Sequence, residues 1–133
     1  MKIDFSIKGE KELQGNIQHT GLQILLGAKK SLFDEATEII EESKLEVPVD
    51  TGALQGSAYV EYTDDNSVEF GYGRSDAVGS SGVTPQNYMV AVHERLDVYH
   101  PNGKAKFLED PVNRHKQSME NSLISKIRKF FRF

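Results

Sequence analysis

The residues best placed to do chemistry lie in Val47-Pro48-Val49-Asp50-Thr51-Gly52-Ala53-Leu54. An aspartate presented by an Asp-Thr-Gly turn can be half of an acid pair. Two copies of such a chain would bring two carboxylates to one shared proton, an arrangement that activates water for peptide hydrolysis. The context points elsewhere. Such an aspartate should follow a strand, whereas a long helical pattern and Pro48 precede Asp50. The apolar-apolar-Gly segment that should close the site is poorly matched by Val68-Glu69-Phe70-Gly71. The same residues also read as a turn from helix to sheet. Pro48 stops the helix, Asp50 accepts backbone N–H bonds, and Asp50-Thr51-Gly52 turns the chain. Gly52 takes positive φ there, and Leu54 anchors the turn in the core.

Other chemistries are harder to assemble. His19, His93, His100 and His115 have no helical i, i+4 ligand partner. In a strand, His93 and Glu94 would point to opposite faces. Gly71-Tyr72-Gly73-Arg74 lacks the Lys-Ser/Thr of a phosphate loop. There is no cysteine, hence no thiolate ligand, disulfide or cysteine nucleophile. No Ser/His/Asp spacing stands out. The sequence implies no catalytic residue, no metal and no cofactor.

The elements that must position these residues follow from periodicity. The 133 residues make one domain, 1–133. Ile3, Phe5 and Ile7 alternate and predict a strand over 2–8; Glu10–Gln14 reads as a short helical turn. Leu22, Leu25, Leu26, Leu32, Phe33, Ala36, Ile39 and Ile40 recur at helical spacing and predict a long helix over 20–45. Its expected core stripe is Leu22–Leu26–Phe33–Ile40. Strands at 57–63 and 68–73 flank a turn at Asp64-Asp65-Asn66-Ser67. Residues 73–87 read as a flexible loop, and Tyr88, Val90 and Val92 predict another strand over 88–94. A second helix follows, with Asp110 at its N-cap, Pro111 at its first position and a basic end. The fold class expected is α+β, an antiparallel sheet of about four strands with helices 20–45 and 111–130 packed against it.

Charge is unevenly spread. Residues 1–100 hold 8 basic and 17 acidic residues, and residues 101–133 hold 8 and 3. The net −4 of the whole chain argues against general nucleic-acid binding. The basic C-terminal end, residues 126–133, interleaves Lys126, Arg128, Lys129 and Arg132 with aromatic residues. With Arg74 these are the candidate assembly contacts, because an acidic body and a basic end suit contact between copies. The start of the chain lacks a signal peptide's apolar stretch, and no apolar run reaches the roughly 20 residues needed to span a bilayer. The expectation is a soluble protein made in the cytoplasm, with no membrane partner.

The order of motifs then matters. Val47-Pro48-Val49-Asp50-Thr51-Gly52-Ala53-Leu54-Gln55-Gly56-Ser57 follows the long helix. Next come Tyr88 and Val92-His93-Glu94, and then Pro101 to Pro111 with Lys106-Phe107-Leu108 inside it. This order, over nearly the whole chain, resembles the tail-completion, or head-to-tail joining, proteins of long-tailed bacteriophages. A longer stretch around Val78–Gly82 departs from that pattern. The resemblance implies a structural virion protein with no catalytic residues. It implies a ring of copies, commonly a hexamer, at the head-proximal end of the tail. The implied partners are tail tube or terminator proteins and head connector proteins, and the implied location is the virion. Two other readings are a homodimeric aspartic protease using Asp50-Thr51-Gly52, and a regulatory or toxin-like binding module that forms no ring.

Overall fold

In a computed structural model the chain is organised around the C-terminal half of one long helix. The structure describes residue 2 and residues 9–50, 52–63, 67–74 and 82–129. Helix α1 spans Glu10–Glu46, 37 residues, and is therefore about 55 Å long. It begins ten residues before the predicted start and absorbs the predicted turn at 10–14. No proline interrupts this stretch, and Gly15 and Gly21 weaken the helix without ending it. Ser31, Glu35, Ala36, Ile39, Ile40 and Ser43 form its buried side.

The short helix α2, Ala53–Gly56, follows the turn after α1. Strands β1, Tyr59–Tyr62, and β2, Val68–Gly71, then pair antiparallel with Val60 opposite Phe70 and Tyr62 opposite Val68. One face of this hairpin lies on α1, where Tyr62 stacks on Phe33 with ring centroids 4.8 Å apart. Helix α3, Pro85–Glu94, and helix α4, Glu109–Arg128, complete the order. Helix α4 runs antiparallel to α1. Near its start Lys104 links Glu46 to Asp110, and further along His115 meets Glu42.

Two expectations are overturned. The chain is mostly helical, and among the described residues its sheet has two strands rather than about four. Residues 88–94, read as a strand, belong to α3. Pro85 sits in its first turn, where the missing N–H costs nothing. Tyr88, Met89 and Val92 face the core at helical spacing, while Val90, placed by alternation on the same side as Tyr88 and Val92, is 64% exposed. The loop read over 73–87 therefore ends before Pro85; residues 75–81 lie outside the described residues, as does the predicted strand 2–8 apart from Lys2. The expected α1 stripe is half right. Ile40 is buried and Phe33 half-buried, but Leu22 and Leu26 are exposed: they lie on the face that Tyr62 of the hairpin covers at Phe33 and Lys29, turned away from α4.

The core cluster is Ile40, Val47, Leu54, Tyr72 and Phe107, with Val60, Phe70, Tyr88, Met89, Val92 and Leu108 packed around it. Phe107 should dominate stability. Phe107→Ala is expected to cost about 3–5 kcal/mol from lost transfer energy and the cavity left behind. Leu22→Ala should stay within roughly 0.5 kcal/mol. Urea melts of the two variants check the ranking.

Candidate functional site

Three sequence motifs, far apart in the chain, meet at the C-terminal end of α1. The first is the turn after α1. Val47 and Leu54 enter the core, and Pro48 is half-buried. Gly52 is left-handed with φ 82°, which opens α2. Asp50 is exposed, in a turn that follows a helix, and its charge reaches Tyr88. Thr51 lies outside the described residues. Ser57, at the end of this motif, is fully buried and acts as a junction. Its Oγ donates to Leu54 O at 2.6 Å and accepts from Gly73 N–H at 3.0 Å. Its carbonyl also accepts from Gly73 and Arg74.

The second and third motifs close on the first. The end of α1 exposes carbonyls that need donors. Lys104 N–H bonds Glu46 O at 2.8 Å, and Gln55 Nε2 bonds Lys44 O at 2.9 Å. Val49 N–H returns a bond to Asn102 O at 3.3 Å. Gly103 is what allows this approach: with φ 95°, a Cβ there would lie 2.5 Å from Glu46 O. At the other side, Lys106 N–H bonds His93 O at 2.8 Å, and Glu109 N–H bonds His93 Nε2 at 3.2 Å. Because Nε2 accepts, the ring proton sits on Nδ1, which donates to Glu94 Oε1 at 2.7 Å. His93 thus caps the start of α4. Phe107 lies between the motifs, with ring centroids 5.2 Å from Tyr72 and 5.0 Å from His93, both edge-to-face. Tyr72 reaches over to bond Ser43 at 2.7 Å, and burial raises its pKa.

Ion pairs clasp the outside. Lys106 bridges Glu94 and Glu109, and Lys104 bridges Glu46 and Asp110. Arg114 reaches Glu42 and Glu46, and His115 also bonds Glu42. The bond from His115, then those from Arg114, hold Glu42 below the ordinary carboxylate range; Lys106 and then His93 do the same to Glu94.

Two groups of ligand-type side chains come together among the described residues. In His93, Glu94 and Glu109 both ring nitrogens are already used, and Lys106 bridges the two carboxylates. In Glu35, Glu38 and His115, the imidazole is held by Glu42. An open apolar cleft of about 280 Å³ lies between the hairpin and α3, lined by Tyr59, Tyr72, Met89, Val90, His93 and Phe107.

The candidate assembly contacts fall into two kinds. Arg74 is engaged within its own subunit: its guanidinium lies 4.1 Å from the Tyr59 ring centroid and pairs with Glu61 and Glu69. It relieves the repulsion of Glu61 facing Glu69 across the hairpin. Lys126 is half-buried, Arg128 and Lys129 are exposed, and Arg132 lies outside the described residues. The sequence reading missed His93 as a cap and Gly103 as a close approach. The signal for Gly103 was present in the turn His100-Pro101-Asn102-Gly103, but not what the turn touches. His93 was hidden by the strand assignment.

No family model, curated protein or solved structure matches the chain. Among the described residues no helix is long and apolar enough to cross a membrane.

Two measurements check this geometry. Gly103→Ala should cost about 2 kcal/mol or more, because backbone strain and a clash with Glu46 O add. Gly52→Ala, whose Cβ would meet nothing within 4 Å, should cost only the left-handed strain of about 1–2 kcal/mol. Equal losses in denaturant melts would contradict the close approach. The second concerns Glu42. Its pKa is lowered from 4.5 in the folded state, so its contribution to stability is present above 4.5 and lost as pH falls through the lower folded value. The stability gap between wild type and Glu42→Gln should therefore be full at neutral pH and close in acid.

Proposed function

We propose that this chain is a structural virion protein of a tailed bacteriophage, a tail-completion or head-to-tail joining protein. It acts as a ring of copies, six in the simplest form, at the head-proximal end of the tail. The ring contacts the tail tube or terminator protein on one side and the head connector on the other. The observation that carries this reading is the meeting of the three motifs around Phe107. The Val-Pro-Val-Asp-Thr-Gly turn, the Val-His-Glu segment and the Lys-Phe-Leu segment are the residues that resemble that family, and they share one core cluster and one set of backbone bonds. They are spent on holding the subunit together. What is left for function is surface: an acidic body and the basic end of α4, where Lys126, Arg128 and Lys129 stand. Unlike faces meeting head to tail close into a ring when the rotation between copies allows it.

The test is a joining assay with purified heads and purified tails that lack this protein. Added full-length chain should give joined particles, with a tagged copy located at the head-proximal end of the tail. Reversing Lys126, Arg128, Lys129 and Arg132 to Glu should abolish joining or confine it to low salt, since exposed charge contacts are screened. The variant's melting curve should show a folded subunit. Full-length chain that is folded and leaves heads and tails separate, in a system where its own genome's heads and tails are used, would overturn the reading.

A further inference from the structure

A row of glutamates on α1 faces α4. Glu35, Glu38, Glu42 and Glu46 recur at spacings of three and four and fall within an arc of about 80° on the helix. Helix α4 and the loop before it answer only half of this row. Arg114 reaches Glu42 and Glu46, Lys104 reaches Glu46, and His115 bonds Glu42. With His115 level with Glu42, the antiparallel run of α4 brings Met119 roughly level with Glu38 and Ser122 with Glu35. Neither supplies a positive charge. Among the described residues Glu35 and Glu38 have no hydrogen bond through their carboxylates and no ion pair.

Glu35 is only 8% exposed. A charged group taken out of water without a partner is costly. One of its oxygens, an oxygen of Glu38 and a ring nitrogen of His115 all lie within 4.8 Å of one another. Two carboxylates this close repel each other. Glu38 is exposed, so the group opens to solvent. The imidazole is already oriented, because its Nε2 is spent on Glu42. A neutral ring that donates from Nε2 carries its lone pair on Nδ1, and Nδ1 has no partner. The group around His93 differs on this point, since both of its ring nitrogens are taken.

We propose that Glu35, Glu38 and Nδ1 of His115 bind a divalent transition-metal ion of the zinc type, with Glu42 as the carboxylate that orients the ring. A carboxylate on one imidazole nitrogen and a metal on the other is how ligating histidines are commonly held. One nitrogen with two carboxylate oxygens suits zinc, whereas magnesium and calcium prefer oxygen alone. Ligand atoms at about 2.0–2.2 Å from zinc stand roughly 3.3 Å apart. Side-chain rotations of the two glutamates close that difference. The two charges of the ion match those of Glu35 and Glu38, and a fourth position is left to water. The ion ties α1 to α4 beyond Glu42, where the ion pairs of Arg114 stop. The site joins two helices, so no spacing along the chain announces it. The inference goes beyond the virion reading and does not rest on it.

Full-length chain stripped with chelator and titrated with zinc chloride in a calorimeter should take up one equivalent with micromolar affinity. In long-range proton–nitrogen spectra His115 Nδ1 should shift on loading, while Nε2 keeps its proton. Glu35→Gln and Glu38→Gln keep the shape and remove the charge, and each should weaken zinc binding by roughly 10–100-fold or more. Melting adds a change of sign. In chelator Glu35→Gln should melt at or above wild type, because an unpartnered buried charge is gone. In excess zinc wild type should melt higher, because only it is loaded. If Glu35→Gln fails to fold, Glu38→Gln, at an exposed position, carries the test. Glu109→Gln, in the group around His93, should leave zinc affinity unchanged. Glu35→Gln melting below wild type equally in chelator and in zinc means that the carboxylate serves the fold, and overturns the proposal. So does zinc uptake that survives both glutamine variants or is lost in Glu109→Gln. No uptake at sub-millimolar zinc overturns it too, as does equal stabilisation by magnesium or calcium with Nδ1 unmoved.

Discussion

The carbonyls at the C-terminal end of α1 must find donors, and the way they find them fixes most of the body. A helix end leaves up to four acceptors without partners in the helix itself. Water could serve them, but here Lys104 and Gln55 do. Each donor belongs to a different motif. Taking its place at the helix end draws the turn 47–57 and the loop 100–106 onto the same spot. That crowding is why Gly103 has no room for a side chain. With both motifs pinned, Val47 and Phe107 are brought into one cluster and become almost fully buried.

Phe107 then carries the constraint across to α3. Its ring meets His93 edge-on, and His93 meets the backbone N–H of Glu109. Lys106, between them, takes a left-handed φ of 58°, a cost for a residue with a Cβ. The position is held by its N–H bond to His93 O and its ion pairs to Glu94 and Glu109. The end of α3 and the start of α4 are therefore set by one aromatic contact and a few short polar links. Exposed ion pairs add little each; a set of them around a common point restricts how the elements can shift.

The sequence carried some of this plainly and some not at all. The helical period of α1, the hairpin at 59–71 and the acidic start and basic end of α4 could be read because each is local. The strand assigned to 88–94 failed because Tyr88, Val90 and Val92 alternate over a stretch too short to separate period 2 from period 3.6. Pro85 was the better guide, as a residue that opens helices. The extent of the core along α1 was illegible for another reason. Leu22 and Leu26 are as apolar as Phe33 and Ile40, and only the reach of the hairpin along that face decides which of them is covered. For the candidate site, the motif residues were in view but their meeting was not, since it depends on backbone bonds such as Lys104 N–H to Glu46 O that no residue type announces.

The charge split also changes meaning once the partners are known. Residues 101–133 carry an excess of basic residues, which in the sequence looks like one docking surface. Lys104, Lys106 and Arg114 are already matched to Glu46, Asp110, Glu94, Glu109 and Glu42 within the subunit. Arg74 is matched to the hairpin in the same way. These cations fix the fold and neutralise the body where the motifs meet. Lys126, Arg128 and Lys129 stand at the other end of α4, and none has an ion pair among the described residues. Past that end α1 runs on toward Glu10, with Leu13 and Ile17 exposed. The cations of residues 101–133 thus divide by position: those near Phe107 are satisfied within the subunit, and those at the far end of α4 have no ion pair among the described residues.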